Sequence, residues 1–169
     1  MDVETAIRTR RTHKAFVPEP LPRELLGELL ELANWAPNHN LTVPWRFRVV
    51  GPGTLERLKL SAGSVGAAKL DRAPTMVAVS CLLSGDPVQD EEDLHATAVA
   101  SYIVLLAAHA RGLAGYWRTP GLLRSEAGRA AVGLPPAERA VGLLYLGHPR
   151  QERPVPARPG AGDTITYLD

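Results

Sequence analysis

Residues 75–83 read TMVAVSCLL, nine residues without a charged side chain, and they decide how the neighbouring segments are arranged. The run has the length and the content of β-branched residues that are typical of a strand buried on both faces. We therefore predict that it is a central strand of a sheet. Cys81 lies inside the run, so we expect its thiol in the core.

Helices and strands alternate on both sides of this run. Asp2 can cap a short first helix, and leucines recur at helical spacing between Pro22 and Trp35. The patterns predict helices at 3–10, 22–35, 54–59, 90–111 and 125–132, and further strands at 45–50, 114–117 and 141–146. The stretch at 60–72 is only weakly periodic. The proline-rich tail from Pro149 ends in the β-prone sequence TITYL at 164–168, so we expect an extended arm that pairs with a sheet edge.

Composition bounds the class of protein. The chain has 169 residues, 45% of them hydrophobic and 22% charged, which predicts one globular domain with a real core. A net charge of +1 argues against a nucleic-acid partner. The single cysteine excludes an intrachain disulfide framework and favours a reduced, cytoplasmic setting. Neither a signal peptide nor a membrane span is indicated.

A basic cluster follows the first predicted helix. The cluster consists of four cations, Arg8, Arg10, Arg11 and Lys14, and the Thr12 hydroxyl, although the protein as a whole is nearly neutral. Arginine offers planar, bidentate donors to phosphate, so the cluster favours a local site for a phosphate monoester. A solvated basic helix end that complements its own dipole is the alternative.

A second candidate segment reads GYWRTPG at 115–121, where a predicted strand gives way to a loop. Trp117 could pack against a flat aromatic ring, and Arg118 could stabilise negative charge on it. Alternatively, Trp117 is a core residue and Arg118 a surface cation. His39 could likewise donate to a ligand or simply lie in a polar turn.

Other kinds of site are disfavoured. The histidines lack metal-ligand spacing, no serine lies in a nucleophile elbow, and Cys81 lies in mid-strand. The glycines form neither a dinucleotide-binding fingerprint nor a phosphate-binding P-loop. A bound cofactor, if there is one, must therefore be held by the arginine cluster.

Four ordered blocks carry a family resemblance. They read RTRRTHKAF at 8–16, ELANWAPNHNLTVPWRF at 31–47, GYWRTPG at 115–121 and VGLLYLGHP at 141–149. Together they resemble the flavin-dependent nitroreductase family, with the order and spacing of its smaller members. The resemblance implies an α+β fold, a three-layer α/β/α sandwich with a mixed central sheet. It also implies one domain over 1–169, with a compact part at 1–148 and an arm at 149–169 swapped onto the partner of a homodimer.

The resemblance also implies which residues bind FMN at the subunit interface. Arg10, Arg11 and Thr12 match the family's site for the FMN phosphate and ribityl chain. Lys14 matches a cation near the flavin pyrimidine edge. The remaining matches are Trp35, Asn38 and His39, in the segment that the partner subunit contributes, and Trp117, Arg118 and Thr119, in a late flavin-contacting loop.

The activity that the resemblance implies is a two-step hydride transfer. NAD(P)H reduces FMN, and a nitroaromatic, a quinone or a similar small acceptor then takes the electrons. The protein would bind, orient and tune the flavin without a catalytic side chain or a metal of its own. Two departures, Val43 where the family has a polar residue and a short stretch between Gly53 and Thr75, keep open a non-catalytic flavin-binding or flavin-sequestering dimer. A third reading is a cofactor-free interaction module.

Overall fold

One antiparallel sheet organises the chain. The computed structural model describes residues 1–155 and 157–168, with Asp163 described by its backbone alone. The strands run over Trp45–Val49 (β1), Thr75–Leu82 (β2), Ala114–Arg118 (β3) and Glu138–Gly147 (β4), in the spatial order β1-β2-β4-β3. All three strand pairs are antiparallel.

The run at 75–83 forms the central strand β2, as predicted. It pairs with β1 on one side and with β4 on the other, and all its residues but Leu82 are buried. Val77 and Val79 point to one face of the sheet, whereas Met76 and Ala78 point to the other. The Cys81 side chain is fully buried, which confirms its place in the core.

The described residues form five α-helices, and four of them cover the two faces of the sheet. The five helices span Val3–Thr9 (α1), Arg23–Leu32 (α2), Pro52–Leu70 (α3), Pro87–Ala110 (α4) and Glu126–Ala131 (α5). Helices α2 and α4 pack on the face of Leu144 and Leu146, while α3 and α5 pack on the face of Leu143 and Tyr145. The result is the expected three-layer α/β/α arrangement.

The helix ends follow from their capping residues. The Asp2 carboxylate accepts a hydrogen bond from the Thr5 N–H at 2.9 Å and starts α1 as predicted. The Asp86 carboxylate accepts from the amides of Val88 and Gln89, so α4 begins earlier than the sequence pattern suggested. Capping by Asp86, rather than the acidic run at 90–93, fixes the start of α4.

The predicted short helix at 54–59 was wrong in extent. The structure has a longer helical segment, α3, made of two helical parts that meet at a kink at Gly63, where φ is +64°. Glycine tolerates this left-handed conformation, so the helix can change direction and continue. Leu58 and Leu70 are both fully buried, and their packing holds the two halves against the sheet.

The prediction of a mixed sheet is not met within one chain. Parallel pairing among the described residues is confined to an isolated bridge between Thr12 and Gly115. After Gly147 the chain is extended, Phe16 bridges Pro149, and a single 3-10 turn follows at Ala161–Thr164. TITYL forms no strand in the described part of this one chain, because a strand needs a partner for its backbone groups. The swap of the arm onto a second subunit stays a prediction.

Helix α4 is long and apolar enough, by length and composition, to cross a membrane. The central helix of a water-soluble fold has the same character. Eight of its residues are buried, and α4 contacts all four strands as well as α2. It therefore packs as the central helix of one layer.

Candidate active site

An arginine-rich cavity lies where the N-terminal loop meets the C-terminal arm. Its volume is about 590 Å³. The loop contributes Arg10, Arg11 and Thr12, and the arm contributes Gln151, Glu152, Arg153, Pro154 and Arg158. Four guanidinium groups and one carboxylate therefore surround one opening, a charge balance that favours an anionic ligand.

The loop that carries these arginines is fixed to the edge strand β3. Thr12 forms the parallel bridge with Gly115, and the His13 N–H donates to the Gly115 carbonyl oxygen at 3.1 Å. Arg11 Nε donates to the carbonyl oxygen of Pro154 in the arm at 3.2 Å. The sheet thus holds one wall of the cavity, and Arg11 holds the other.

Two guanidinium nitrogens in this cavity are buried without a hydrogen-bond partner among the described residues. They are Arg10 Nε and Arg11 Nη2. The Arg10 guanidinium also lies over the Tyr102 ring, 5.4 Å from its centroid, which fixes its direction. Buried donors without partners are rare because each one costs roughly 1–3 kcal/mol. A phosphate oxygen is a chemically suitable acceptor for both.

Two buried or half-buried imidazoles flank the arginines. Thr9 Oγ1 and His109 Nε2 are 2.9 Å apart, and His13 is 9% exposed. Burial, followed by the charges of Arg10 and Arg11, lowers the pKa of His109. Burial, followed by Arg153, His109 and Arg11, lowers the pKa of His13. The positive field of the arginine cluster therefore extends to both rings.

The segment with Trp35, Asn38 and His39 lies on a different surface of the same chain. Trp35 is 82% exposed and lines an apolar groove of about 340 Å³ with residues of α1 and α4. His39 Nδ1 lies 3.0 Å from a carboxylate oxygen of Glu92. The described chain does not bring these residues to the arginine cavity, and their place in a site completed by a second subunit stays a prediction.

Asn38 has a local structural role that the sequence did not reveal. Its Oδ1 accepts a hydrogen bond from the Val43 N–H at 2.9 Å, and its Nδ2 donates to the Ala36 carbonyl oxygen at 3.2 Å. Val43 has a φ of +46°, which is strained for a β-branched residue. The Asn38 side chain therefore holds a strained loop.

The side chains of the segment 117–119 point to different sides of the sheet. Trp117 packs against the core beside α4, and its Nε1 donates to the Val141 carbonyl oxygen at 3.4 Å. Arg118 Nη1 donates to the Tyr145 hydroxyl at 2.9 Å, on the other face. Thr119 lines a separate small cavity. Only Trp117 shares the α4 face of the sheet, and Lys14 is exposed beside the arginine loop.

Comparison with known proteins assigns the family. Residues 7–67 match the Nitroreductase family, and the chain is 30% identical over 166 residues to an Escherichia coli (strain K12) protein named "Putative NAD(P)H nitroreductase YdjA", covering 89% of this chain and 90% of that one. The chain belongs to the nitroreductase family. It is accordingly an oxidoreductase by family.

Solved structures agree with this assignment. A nitroreductase-like family protein from Bacillus cereus superposes with a TM-score of 0.91 at 25% identity, covering 100% of this chain and 97% of that one. The FMN and NADPH-dependent nitroreductase NfnB from Sphigopyxis sp. strain HMH superposes with a TM-score of 0.82 at 19% identity over the full length of both chains. The nitroreductase fold therefore extends over the whole chain.

Sequence reasoning missed part of this nitroreductase's cavity. Arg153 and Arg158 lie about 140 residues beyond the basic cluster, in a segment that reads only as a proline-rich arm. The arginines of the arm could have indicated further anion-binding residues, but the sequence does not show that the arm lies beside the basic cluster. Among residues 1–155 and 157–168, no three potential metal ligands of the His, Cys, Asp or Glu type lie together.

Proposed function

We propose that this nitroreductase is an FMN-dependent NAD(P)H oxidoreductase in which Arg10, Arg11 and Thr12 hold the FMN phosphate. The observation that carries the proposal is the pair of buried, unpartnered guanidinium nitrogens in the arginine cavity. Charge-assisted hydrogen bonds from two such donors would hold a phosphate dianion strongly. NfnB, which shares the fold, is named as dependent on FMN and NADPH.

The chain's own residues bind and orient in this mechanism. When FMN is bound, it supplies the capacity to accept a hydride from NAD(P)H and to pass electrons to a nitroaromatic, a quinone or a similar small acceptor. The arginine site fixes the phosphate end. Thr12 is anchored to the edge strand β3 at Gly115. Trp117 lies on the same strand, two residues further along. Arg118 does not serve the same face within this chain, because its guanidinium is bonded to Tyr145.

A homodimer completes the proposed site. Met1, Val3 and Trp35 are each more than 60% exposed around the apolar groove between α1 and α4, a cost in water that a second subunit would remove. The exposed end of the arm at Ile165–Leu168 has strand propensity, and it pairs with no strand among the residues that the structure describes. We propose that it joins a sheet edge of the partner, and that Trp35, Asn38 and His39 border the partner's flavin. The compartment proposed is the cytoplasm.

Flavin binding and reduction test the proposal in two steps. The full-length protein should bind FMN, and Arg11→Ala should weaken binding at least tenfold, since a charged hydrogen bond contributes roughly 1.5–3 kcal/mol. Arg139→Ala, at an exposed position on β4, is the matched control and should change little. Anaerobic mixing with NADH or NADPH should then bleach the bound flavin.

Each contrary outcome favours a named rival. Flavin that stays bound but is reduced by neither nicotinamide would favour the flavin-sequestering dimer that Val43 and the short 53–75 segment left open. A protein that takes up no FMN at all would favour a cofactor-free interaction module. Equal FMN affinity in the wild type and Arg11→Ala would remove the arginine site from the proposal.

A further inference from the structure

The two arginines that the N-terminal loop contributes to the cavity are oriented by different kinds of contact. Arg11 Nη1 donates to the carbonyl oxygens of Arg8 and Arg10 at 2.9 and 2.6 Å, and Arg11 Nε donates to the carbonyl oxygen of Pro154 at 3.2 Å. Since the guanidinium group is planar and rigid, acceptors on two of its nitrogens fix its plane. Backbone oxygens therefore hold Arg11 at the wall of the cavity.

Arg10 is oriented by an aromatic ring instead. Its guanidinium carbon lies 5.4 Å from the centroid of the Tyr102 ring, inside the roughly 6 Å within which a cation and a π face attract each other. Arg10 Nε is buried and has no hydrogen-bond partner among the described residues. The orientation of this side chain therefore depends on the ring face of Tyr102 and not on a hydrogen bond to Nε.

Both sides of this contact lie on a fixed backbone. Arg10 ends α1, and its N–H donates to the Ala6 carbonyl oxygen at 2.9 Å. Tyr102 lies in α4, where its neighbours Ser101 and Val104 are fully buried. Because α1 packs against α4, the ring and the guanidinium meet at the junction of two helices. The fold therefore sets the position of the ring relative to Arg10.

An aromatic face can hold a cation without competing for its hydrogen-bond donors. The π face attracts the charge of Arg10 but accepts no strong hydrogen bond, whereas a carboxylate would neutralise the group and accept the bonds that a phosphate needs. Glu4 is already paired with Arg8, at 2.7 Å, but Glu152 lines the same cavity as Arg10. Glu152 is therefore the competing partner for an Arg10 side chain that Tyr102 does not hold.

We propose that Tyr102 is a positioning residue of the anion site, which holds the Arg10 guanidinium over its ring so that the charge and the donors of Arg10 stay available to a phosphate. The inference rests on the proposed function, because FMN is the phosphate carrier considered. A side chain that is already oriented loses little rotamer freedom when the ligand binds, whereas a free arginine side chain has to be ordered. Tyr102 acts through Arg10 and does not itself touch the ligand.

This role predicts a loss of affinity that is specific for the phosphate group. Tyr102→Leu removes the π face and keeps an apolar side chain, so FMN should bind roughly three to ten times more weakly. Riboflavin lacks the phosphate, and its affinity should change by less than about twofold. Tyr102→Phe keeps the ring face and should retain the wild-type preference for FMN over riboflavin. A general change in the packing of α4 would instead affect both flavins alike.

A double-mutant cycle shows whether Tyr102 acts through Arg10. Full-length wild type, Tyr102→Leu, Arg10→Ala and the double variant, each freed of flavin, are titrated with FMN and with riboflavin while the flavin fluorescence is followed. Arg10→Ala should weaken FMN binding, and adding Tyr102→Leu should weaken it no further, because the group to be positioned is gone. Tyr116→Leu is the matched control. The Tyr116 ring packs edge-to-face against Tyr145 on the other face of the sheet, so this variant should keep the preference for FMN.

Each result decides one point. An unchanged preference for FMN in Tyr102→Leu, its loss in Tyr102→Phe, or a full further loss in the double variant overturns the positioning role and leaves the proposed function standing. Wild-type FMN affinity in Arg10→Ala removes Arg10 from the phosphate site, and a wild type that takes up no FMN overturns the proposed function. The inference falls in both of these cases.

NMR of the wild type replaces the cycle if Tyr102→Leu does not fold. The ring current of Tyr102 should shift the side-chain protons of Arg10 upfield, both in the protein freed of flavin and in the protein saturated with FMN. Ordinary shifts for these protons in the saturated protein would refute the inference.

Discussion

Thr12 is paired in parallel with Gly115 on the outer edge of β3, at the one position of that strand where α4 leaves no room for a side chain. A Cβ on Gly115 would lie 2.7 Å from Leu105 Cδ2, and Leu105 is itself buried. The same residue thus sets the distance between helix and sheet and anchors the arginine loop. Gly115 therefore affects both the stability of the fold and the position of the arginine loop.

Gly115→Ala should therefore destabilise the fold and weaken FMN binding together. Overpacking against Leu105 should cost about 1–3 kcal/mol. Chemical denaturation and an FMN titration check the two effects. Gly121→Ala is the matched control, since a Cβ there meets nothing within 4 Å, and it should shift stability by less than about 0.5 kcal/mol. Equal stability of the two variants would contradict the packing argument.

The ion pair between Arg48 and Glu138 should make stability depend on pH. Two guanidinium nitrogens of Arg48 donate to the Glu138 carboxylate at 2.8 and 2.9 Å, and Ser80 donates to it as well. The hydrogen bond from Arg48 lowers the pKa of Glu138 from its ordinary value of 4.5. This stabilisation is complete above pH 4.5 and is lost as the pH falls through the lowered pKa of the folded state.

Glu138→Gln tests this dependence. The variant should be less stable than the wild type by about 2 kcal/mol at pH 7, and the difference should shrink as the pH falls below 4.5. Urea denaturation at pH 7, 4.5 and 3 measures it. Glu19→Gln, at an exposed position, should follow the wild type throughout. A stability difference that does not change with pH would show that the pair contributes no linked proton.

Removing the Asn38 side chain should release the strained loop before β1. Asn40, Leu41 and Val43 all have positive φ, between +46° and +55°, a conformation that costs roughly 1–3 kcal/mol in a non-glycine residue. In Asn38→Ala the Val43 amide loses its acceptor, and its hydrogen exchange should accelerate at least tenfold. Asn38→Asp keeps an acceptor oxygen and should retain most of the protection. Unchanged exchange in Asn38→Ala would mean that packing alone holds the loop.

The exposed Trp35 should contribute to the dimer and not to the monomer's core. Trp35→Ser should weaken dimerisation by about 2 kcal/mol, roughly 30-fold in the dissociation constant, as for a buried aromatic at an interface. Sedimentation at several concentrations measures it. Leu60, 85% exposed on α3 across the sheet, provides the control as Leu60→Ser. A wild-type protein that sediments as a single chain would refute the proposed dimer.

The sequence alone determined the elements that depend on interactions between residues close together along the chain. The uncharged run at 75–83 is apolar enough to be buried on both faces, which predicts an inner strand. Asp2 and Ser125 each place an acceptor beside the free amides of a helix start. The basic cluster was visible as a candidate anion site because two of its arginines and its threonine are consecutive. These features depend on residues within about four positions of each other.

Tertiary structure decided everything that depends on contacts between distant residues. It brought Arg153 and Arg158 to Arg10 and Arg11, set His109 against Thr9, and turned Arg118 towards Tyr145. It also continued α3 past Gly63, because burial of Leu70 outweighs the break in periodicity. Such contacts join segments about 30 to 140 residues apart, and their energies come from packing and charge that no local pattern contains. The sequence could therefore predict a phosphate site, but only the fold could complete its walls.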